Sequence, residues 1–151
     1  TMGVNIAASG EGQVEITPEN GNTMTFTILG TGLDVTTATT YCGIYNAANG
    51  KLLAAEGIDG YTLGADLVFD MGTDNSFQGG LNPSSTGLTI AAGTTAKVEL
   101  KCTTDSTTGA GLSATMTGMT YGDGTTSASN VDDSDLIVQR FPLSGPSLTQ
   151  P

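Results

Sequence analysis

The sequence has no histidine and no tryptophan, and sets only 4 basic residues against 15 acidic ones in a chain of 151. Each shortage closes off a class of function. Without an imidazole, general acid–base work falls to carboxylates alone, and no serine or threonine has the usual partner that makes it a nucleophile. No G-x-S-x-G elbow is present. Zinc loses histidine, and no C-x-x-C pair replaces it. The net charge of −11 leaves no cationic surface to displace counterions from a phosphate backbone, which excludes nucleic acid, and anionic membrane surfaces are disfavoured for the same reason. No apolar run approaches the ~18 residues of a membrane-spanning helix. Helix formers are scarce. Only Leu52 to Glu56 reads as briefly helical, and so short a stretch cannot stand without tertiary support. We read no enzyme and no required cofactor here.

What the chain does have is 22 glycines and 26 threonines. Threonine suits a pleated, half-exposed surface and glycine supplies turns with positive φ, so the composition favours many short strands. The strongest pattern runs from Thr94 to Cys102, where Ala96, Val98, Leu100 and Cys102 alternate with Lys97, Glu99 and Lys101. That period of two is a strand with one buried and one wet face. Val14 and Ile16 mark another strand, ended by Pro18. Thr23 to Leu29 puts Met24, Phe26 and Ile28 on one face. Thr39 to Tyr45 turns Cys42 and Ile44 inward, and Asn49-Gly50 predicts a two-residue type I′ hairpin returning through Lys51 to Ala55. Ala65 to Met71 alternates again. Beyond a polar loop, Gly72 to Gly87, Leu88 and Ile90 lead to the central strand. Thr103 to Gly111 reads as a loop, and the alternating Leu112, Ala114 and Met116 as a strand that pairs with the central one. A loop spans Tyr121 to Asp135, and Leu136 to Phe141 is the last strand candidate.

With no shift in composition to cut at, residues 1–151 read as a single domain, with a strand-like N-terminal segment over 1–9 and an extended, proline-marked C-terminal tail over 142–151. Turn signals at intervals of about 10 residues describe an all-β sandwich or barrel. Cys42 and Cys102 both fall on apolar strand faces. They read as one inter-strand disulfide, the other reading being two reduced core cysteines. Such a bridge closes a loop worth about 4 kcal/mol in the chain-entropy account and places the chain in an oxidising compartment.

Few side chains offer chemistry. Asp66 and Asp70 share a strand face but lie about 13 Å apart at the usual rise, beyond the ~5 to 9.5 Å of paired glycosidase carboxylates. Gly109 to Ala114 matches a dinucleotide fingerprint only as a string, because a strand follows it and not a helix. Asp70, Asp74 and Asn75 in one loop, and Asp123, Asp132, Asp133 and Asp135 in another, supply the hard oxygen ligands that calcium takes, although neither loop has the spacing of a known calcium loop. Tyr41 and Tyr45 flank Gly43 on one strand face, the geometry of a flat aromatic platform for a sugar ring or a neighbouring protein. The other reading of that face is the far side of a buried strand. Lys97 and Lys101, two of the four cations, make the outer face of the central strand a contact for an acidic neighbour.

The block from Leu88 through Ala91-Ala92-Gly93-Thr94 to Leu100, followed by a Gly/Thr loop and the alternating strand from Leu112, resembles the immunoglobulin-like β-sandwich modules of prokaryotic cell-surface proteins: surface-layer proteins, adhesins and extracellular filament subunits. Asp135 to Val138, ahead of a proline-containing segment, is similar to the end of such a module. The likeness covers the second half of the chain, and the first half only in strand pattern; the tryptophan that packs on the disulfide of antibody-type domains is missing. The resemblance implies an immunoglobulin-like, Greek-key sandwich of about 8–10 strands, at work outside the cell or on its surface, with no catalytic residues. Its partners would be copies of itself or neighbouring surface-protein domains. The reading that follows is a structural subunit assembling into a filament or coat by exchange of terminal strands. The alternative is a carbohydrate-binding, adhesive module of a larger surface protein.

Overall fold

The computed structural model describes residues 1–8, 10–19, 21–34, 41–75, 83, 86–103, 105–122, 143–144 and 148–149. Twelve strands are described: β1 (Met2–Ala7), β2 (Val14–Ile16), β3 (Thr23–Asp34), β4 (Tyr41–Asn46), β5 (Leu52–Gly57), β6 (Asp66–Asp70), β7 (Asp74–Asn75), β8 (Leu88–Ile90), β9 (Thr95–Thr103), β10 (Asp105–Met119), β11 (Leu143–Ser144) and β12 (Leu148–Thr149). No helix is among them. Leu52 to Glu56, the only helical stretch by propensity, is a strand because its partner β4 supplies a ladder that five isolated residues could not replace.

The strands form a five-stranded sheet in the order β1-β9-β4-β5-β7, a second sheet in the order β11-β10-β3-β6 with β12 also on β10, and a small β2-β8 pair. All pairings are antiparallel except the short β5–β7 contact. The inner faces of the two larger sheets meet in one apolar cluster that includes Val4, Ile44, Val98 and Leu100 from the first and Phe26, Ile28, Phe69 and Met116 from the second. Phe26 and Phe69 are fully buried and pack edge to face at 5.8 Å between centroids, the arrangement that the ring quadrupole favours. The molecule is therefore an all-β sandwich, and the alternation in each main strand supplies its core: β1 and β6 read buried and exposed in strict turn.

β9 sits between β1 and β4, not beside β10. The expected hairpin from β9 to β10 does not form, for a reason visible in the ladders. Met2 to Ala7 take one edge of β9 and Tyr41 to Asn46 the other, so no edge remains. The chain instead passes from β9 into the opposite sheet, where β10 pairs β3. β10 also begins at Asp105, inside the stretch that composition marks as a loop. Its register against β3 is broken between Ser106 and Gly111 and again between Met116 and Gly118, which is how a Gly- and Thr-rich segment joins a ladder without continuous alternation. Two neighbouring strands of one sheet, β4 and β9, thus connect to two neighbouring strands of the other, β3 and β10.

Two other expectations change. The β4–β5 connection is not a two-residue turn. Asn46 and Lys51 close it, Gly50 N–H donates to Asn46 C=O at 2.8 Å, and Gly50 takes φ 70°, so four residues form the loop and Asn49 Oδ1 accepts from Lys51 N–H at 2.9 Å. Within the expected tail, residues 143–144 and 148–149 are paired to β10. Leu136 to Phe141 lie outside the described residues.

Two side chains that pattern alone did not single out hold the sheets in place. Asn22 is fully buried; its Oδ1 accepts from Thr17 N–H at 2.9 Å and its carbonyl accepts from Met71 N–H at 3.0 Å, joining β2 and β6 across the turn into β3. The Tyr61 hydroxyl accepts from Ile28 N–H at 3.2 Å and donates to Ala65 C=O, which carries the β3–β6 ladder one step further.

Candidate functional site

Cys42 and Cys102 are directly opposite on β4 and β9 and form a disulfide, with Cα atoms 4.0 Å apart. Ala47 N–H donates to Lys97 C=O, which makes the odd-numbered pairs of this ladder the hydrogen-bonded ones and places the cysteines in a non-hydrogen-bonded pair, where side chains come closest. The bridge lies within one sheet and faces inward: Cys42 is fully buried. With β9 fixed between β4 and β1, its odd residues all point outward.

That outer face gathers the side chains singled out from sequence. Tyr45 stands opposite Glu99, Gly43 opposite Lys101, and Tyr41 opposite Thr103. Lys97 Nζ lies 3.1 Å from Glu99 Oε1 and Lys101 Nζ 3.1 Å from Glu99 Oε2. Side chains two apart on a strand share a face about 7 Å apart, within reach of two lysines leaning toward a central carboxylate. Hydrogen bonds from Lys97 and then Lys101 hold the Glu99 carboxyl below the ordinary glutamate range. Lys101 Nζ also sits 4.9 Å from the centroid of the Tyr45 ring, a cation–π distance.

Glycine makes this packing possible at two points. A Cβ on Gly43 would lie 2.8 Å from Tyr45 Cε2 and 2.9 Å from Leu52 Cδ1, so the Tyr45 ring lies over the bare backbone of Gly43. A Cβ on Gly3 would lie 2.6 Å from Lys97 Cε, so the lysine stem crosses Gly3 in the same way. Burial raises the Tyr45 phenol above its ordinary range, and the neighbouring Tyr41 adds to the shift by charge repulsion and a hydrogen bond. The two tyrosines do share a face, as expected. They form a half-buried pair, with Lys101 above the Tyr45 ring, and not an open platform.

The outer face of the other sheet is different in kind. Thr23, Thr25 and Thr27 on β3 face Asp70, Val68 and Asp66 on β6, and Thr27 Oγ1 donates to Asp66 Oδ1 at 3.4 Å. Leu29 and Val68 are the large apolar side chains exposed among the described residues, at 52% and 43%. Leu29 walls a depression of about 270 Å³ together with Gly30, Thr31, Gly111, Leu112 and Ser113. Spacing alone identified Asp66 and Asp70; the exposed Val68 between them was legible in the same alternation.

For calcium, Asp70 is exposed at the end of β6 and Asp74 and Asn75 form β7. Asp123, Asp132, Asp133 and Asp135 lie outside the described residues. Among the described residues, no group of three or more Asp, Glu, Cys or His is placed to hold a metal ion, and no helix is long and apolar enough to cross a membrane. No protein-family model, curated protein or solved structure matches this sequence.

Proposed function

We propose that this chain is an extracellular structural subunit, an immunoglobulin-like surface module that assembles with copies of itself into a filament or coat by exchange of β1. The observation that carries this reading is the seating of β1. It is an edge strand, paired only with β9 among the described strands, yet Met2, Val4 and Ile6 are buried in the shared core. Burying three such side chains contributes roughly 5–8 kcal/mol. A strand from a second copy would make the same contacts in the same register, so exchange alters connection and not contact. Ala8 N–H donates to Thr94 C=O, which turns the even residues of β1 toward β9 and aims the backbone groups of Gly3, Asn5 and Ala7 outward, ready for a further strand. Gly10 and Gly12, in the connection to β2, have open space where a side chain would stand. The disulfide agrees with an oxidising location, and the −11 charge with a surface exposed to solvent.

The test is a cross-link. Ala7 and Thr95 face each other as a non-hydrogen-bonded pair, so in A7C/T95C chains assembled and then oxidised, exchange produces a ladder of covalent multimers on a non-reducing gel. Assemblies containing only intrachain bridges overturn the exchange. Electron microscopy of native material tests the wider claim that the chain is a repeating subunit. The carbohydrate-binding reading draws less support, because Lys101 already covers the Tyr45 ring.

A further inference from the structure

We infer that the two outer faces are complementary halves of one repeating contact, the lysine face of β9 in one copy docking on the aspartate face of β6 in the next. The inference rests on the self-assembly reading in taking a second copy as partner, but it does not need β1 to be exchanged.

Spacing is the first argument. Lys97 and Lys101 are four residues apart on one strand face, and so are Asp66 and Asp70. At the usual rise the Cα atoms of both pairs span about 13 Å; Glu99 draws the two ammoniums closer together than that, so in two strands laid face to face, in either relative direction, each aspartate leans inward to meet its lysine. The lysine side chains are 52% and 45% exposed and both aspartates are exposed. The residue at the centre of each row also fits. Glu99 is met by both of its own lysines, and opposite it the acidic row presents Val68, not a third carboxylate. Each ammonium has three donors and uses one on Glu99, leaving others for the neighbour.

Apolar surface is the second. Val68 lies inside the acidic row and Leu29 beside it on β3, both uncovered, while the opposing face offers the half-buried Leu52 packed over Gly43. Symmetry is the third. Lysine face on lysine face, or aspartate on aspartate, sets like charges against each other, so a two-fold dimer is disfavoured. A contact between two different faces of the same chain is heterologous, and it propagates unless the rotation closes a ring.

Charge exchange tests this. K97E/K101E makes both faces acidic, and D66K/D70K makes both basic, so each variant alone should associate about tenfold more weakly than the parent, or worse. Mixed in equal amounts, each supplies what the other lacks, and association should return to within about threefold of the parent in analytical ultracentrifugation, as alternating copies. Circular dichroism and thermal melting confirm that the variants fold; K97S/K101S and D66S/D70S, which introduce no new charge, should lose association in the same direction. The inference is overturned if either charge-reversed variant assembles like the parent, if the mixture associates no better than its components, or if the parent stays monomeric at every soluble concentration. The A7C/T95C cross-link reads strand exchange independently, so the failure of one contact is distinguishable from the failure of the other.

Discussion

At the centre of the five-stranded sheet the outward side chains are charged or aromatic and touch one another: Lys97, Glu99, Lys101, Tyr45 and Tyr41 make a connected surface over two bare glycines. On the sheet of β10, β3 and β6 they are threonines, two aspartates and two uncovered aliphatic residues. The inner faces contrast less: the first is aliphatic around the disulfide, the second adds the Phe26 and Phe69 rings, and they pack into one cluster. The sheets are also held differently. The first carries a covalent bridge between β4 and β9, whereas the second relies on the long β3–β10 ladder and the Phe26–Phe69 contact. One sheet is cross-linked and the other is packed. Alternation fixes which side is inner, and leaves the outer side free to carry whatever the molecule does.

The largest expected effect breaks the packed sheet. Phe69→Ala removes a fully buried ring and leaves its edge-to-face partner beside a cavity, which should cost about 3–5 kcal/mol in urea unfolding followed by circular dichroism. If packing is the principal support of this sheet, the loss falls in that range; a change below ~1 kcal/mol would show that β3 and β10 hold together without it. Next comes the cross-linked sheet. C42A/C102A should lose about 2–4 kcal/mol, measured in the same way. Amide exchange then tells how the bridge works. Constraint of the unfolded chain lowers protection in both sheets together, whereas loss confined to β4 and β9 identifies a local staple.

The strands with strict alternation were legible from residues alone: β3, β6 and β9 bury the side chains that their pattern selects, β1 was legible only as a strand-like segment, and two inward faces favoured the pairing of Cys42 with Cys102. Partner choice was not legible. Leu112 to Met116 has a pattern equally suited to β9 and to β3, and the decision came from β1, which occupies the edge of β9 that a hairpin would need. Since a strand's own sequence records its faces and not its neighbours, this kind of miss is inherent in period-two reasoning. The lysine face was half legible. Lys97, Lys101, Tyr41 and Tyr45 were each visible, but the role of Glu99 between the lysines, and of Gly3 and Gly43 beneath the side chains, depends on cross-strand register. Asn22 and Tyr61 act through turns, where no periodicity exists to mark them.

Smaller effects sharpen the contrast between the outer faces. Gly43→Ala should displace the Tyr45 ring, because the added methyl meets the ends of the Tyr45 and Leu52 side chains, which can move, and not backbone; we expect a cost of about 1 kcal/mol. The Tyr45 phenol, raised chiefly by burial, should then titrate closer to its ordinary range in ultraviolet absorbance. A raised phenol contributes stability below the ordinary tyrosine range and loses it as pH rises through the folded-state value, so the part of the alkaline stability loss that Tyr45 carries should be smaller in Gly43→Ala than in the parent. An unchanged titration would mean that the ring is not held by its seat on Gly43.

The smallest effect concerns Glu99, and it has the opposite sign. Its carboxyl is lowered by Lys97 and Lys101, so its pairing is present above the ordinary glutamate range and is lost as pH falls through the depressed folded-state value. In a carbon-detected NMR titration Glu99 should protonate below the ordinary glutamate range. Lys97→Ser should recover more of the shift than Lys101→Ser, because the Lys97 hydrogen bond is the larger cause. Salt separates this local pairing from the net charge of the chain. At about 1 M salt the screening length falls to roughly 3 Å, comparable to the 3.1 Å lysine–carboxylate separations, so the depression should shrink without disappearing. A Glu99 that titrates in the ordinary glutamate range at low salt would show that the ladder is not formed in solution, and would leave the outer faces of the two sheets more alike than the structure makes them.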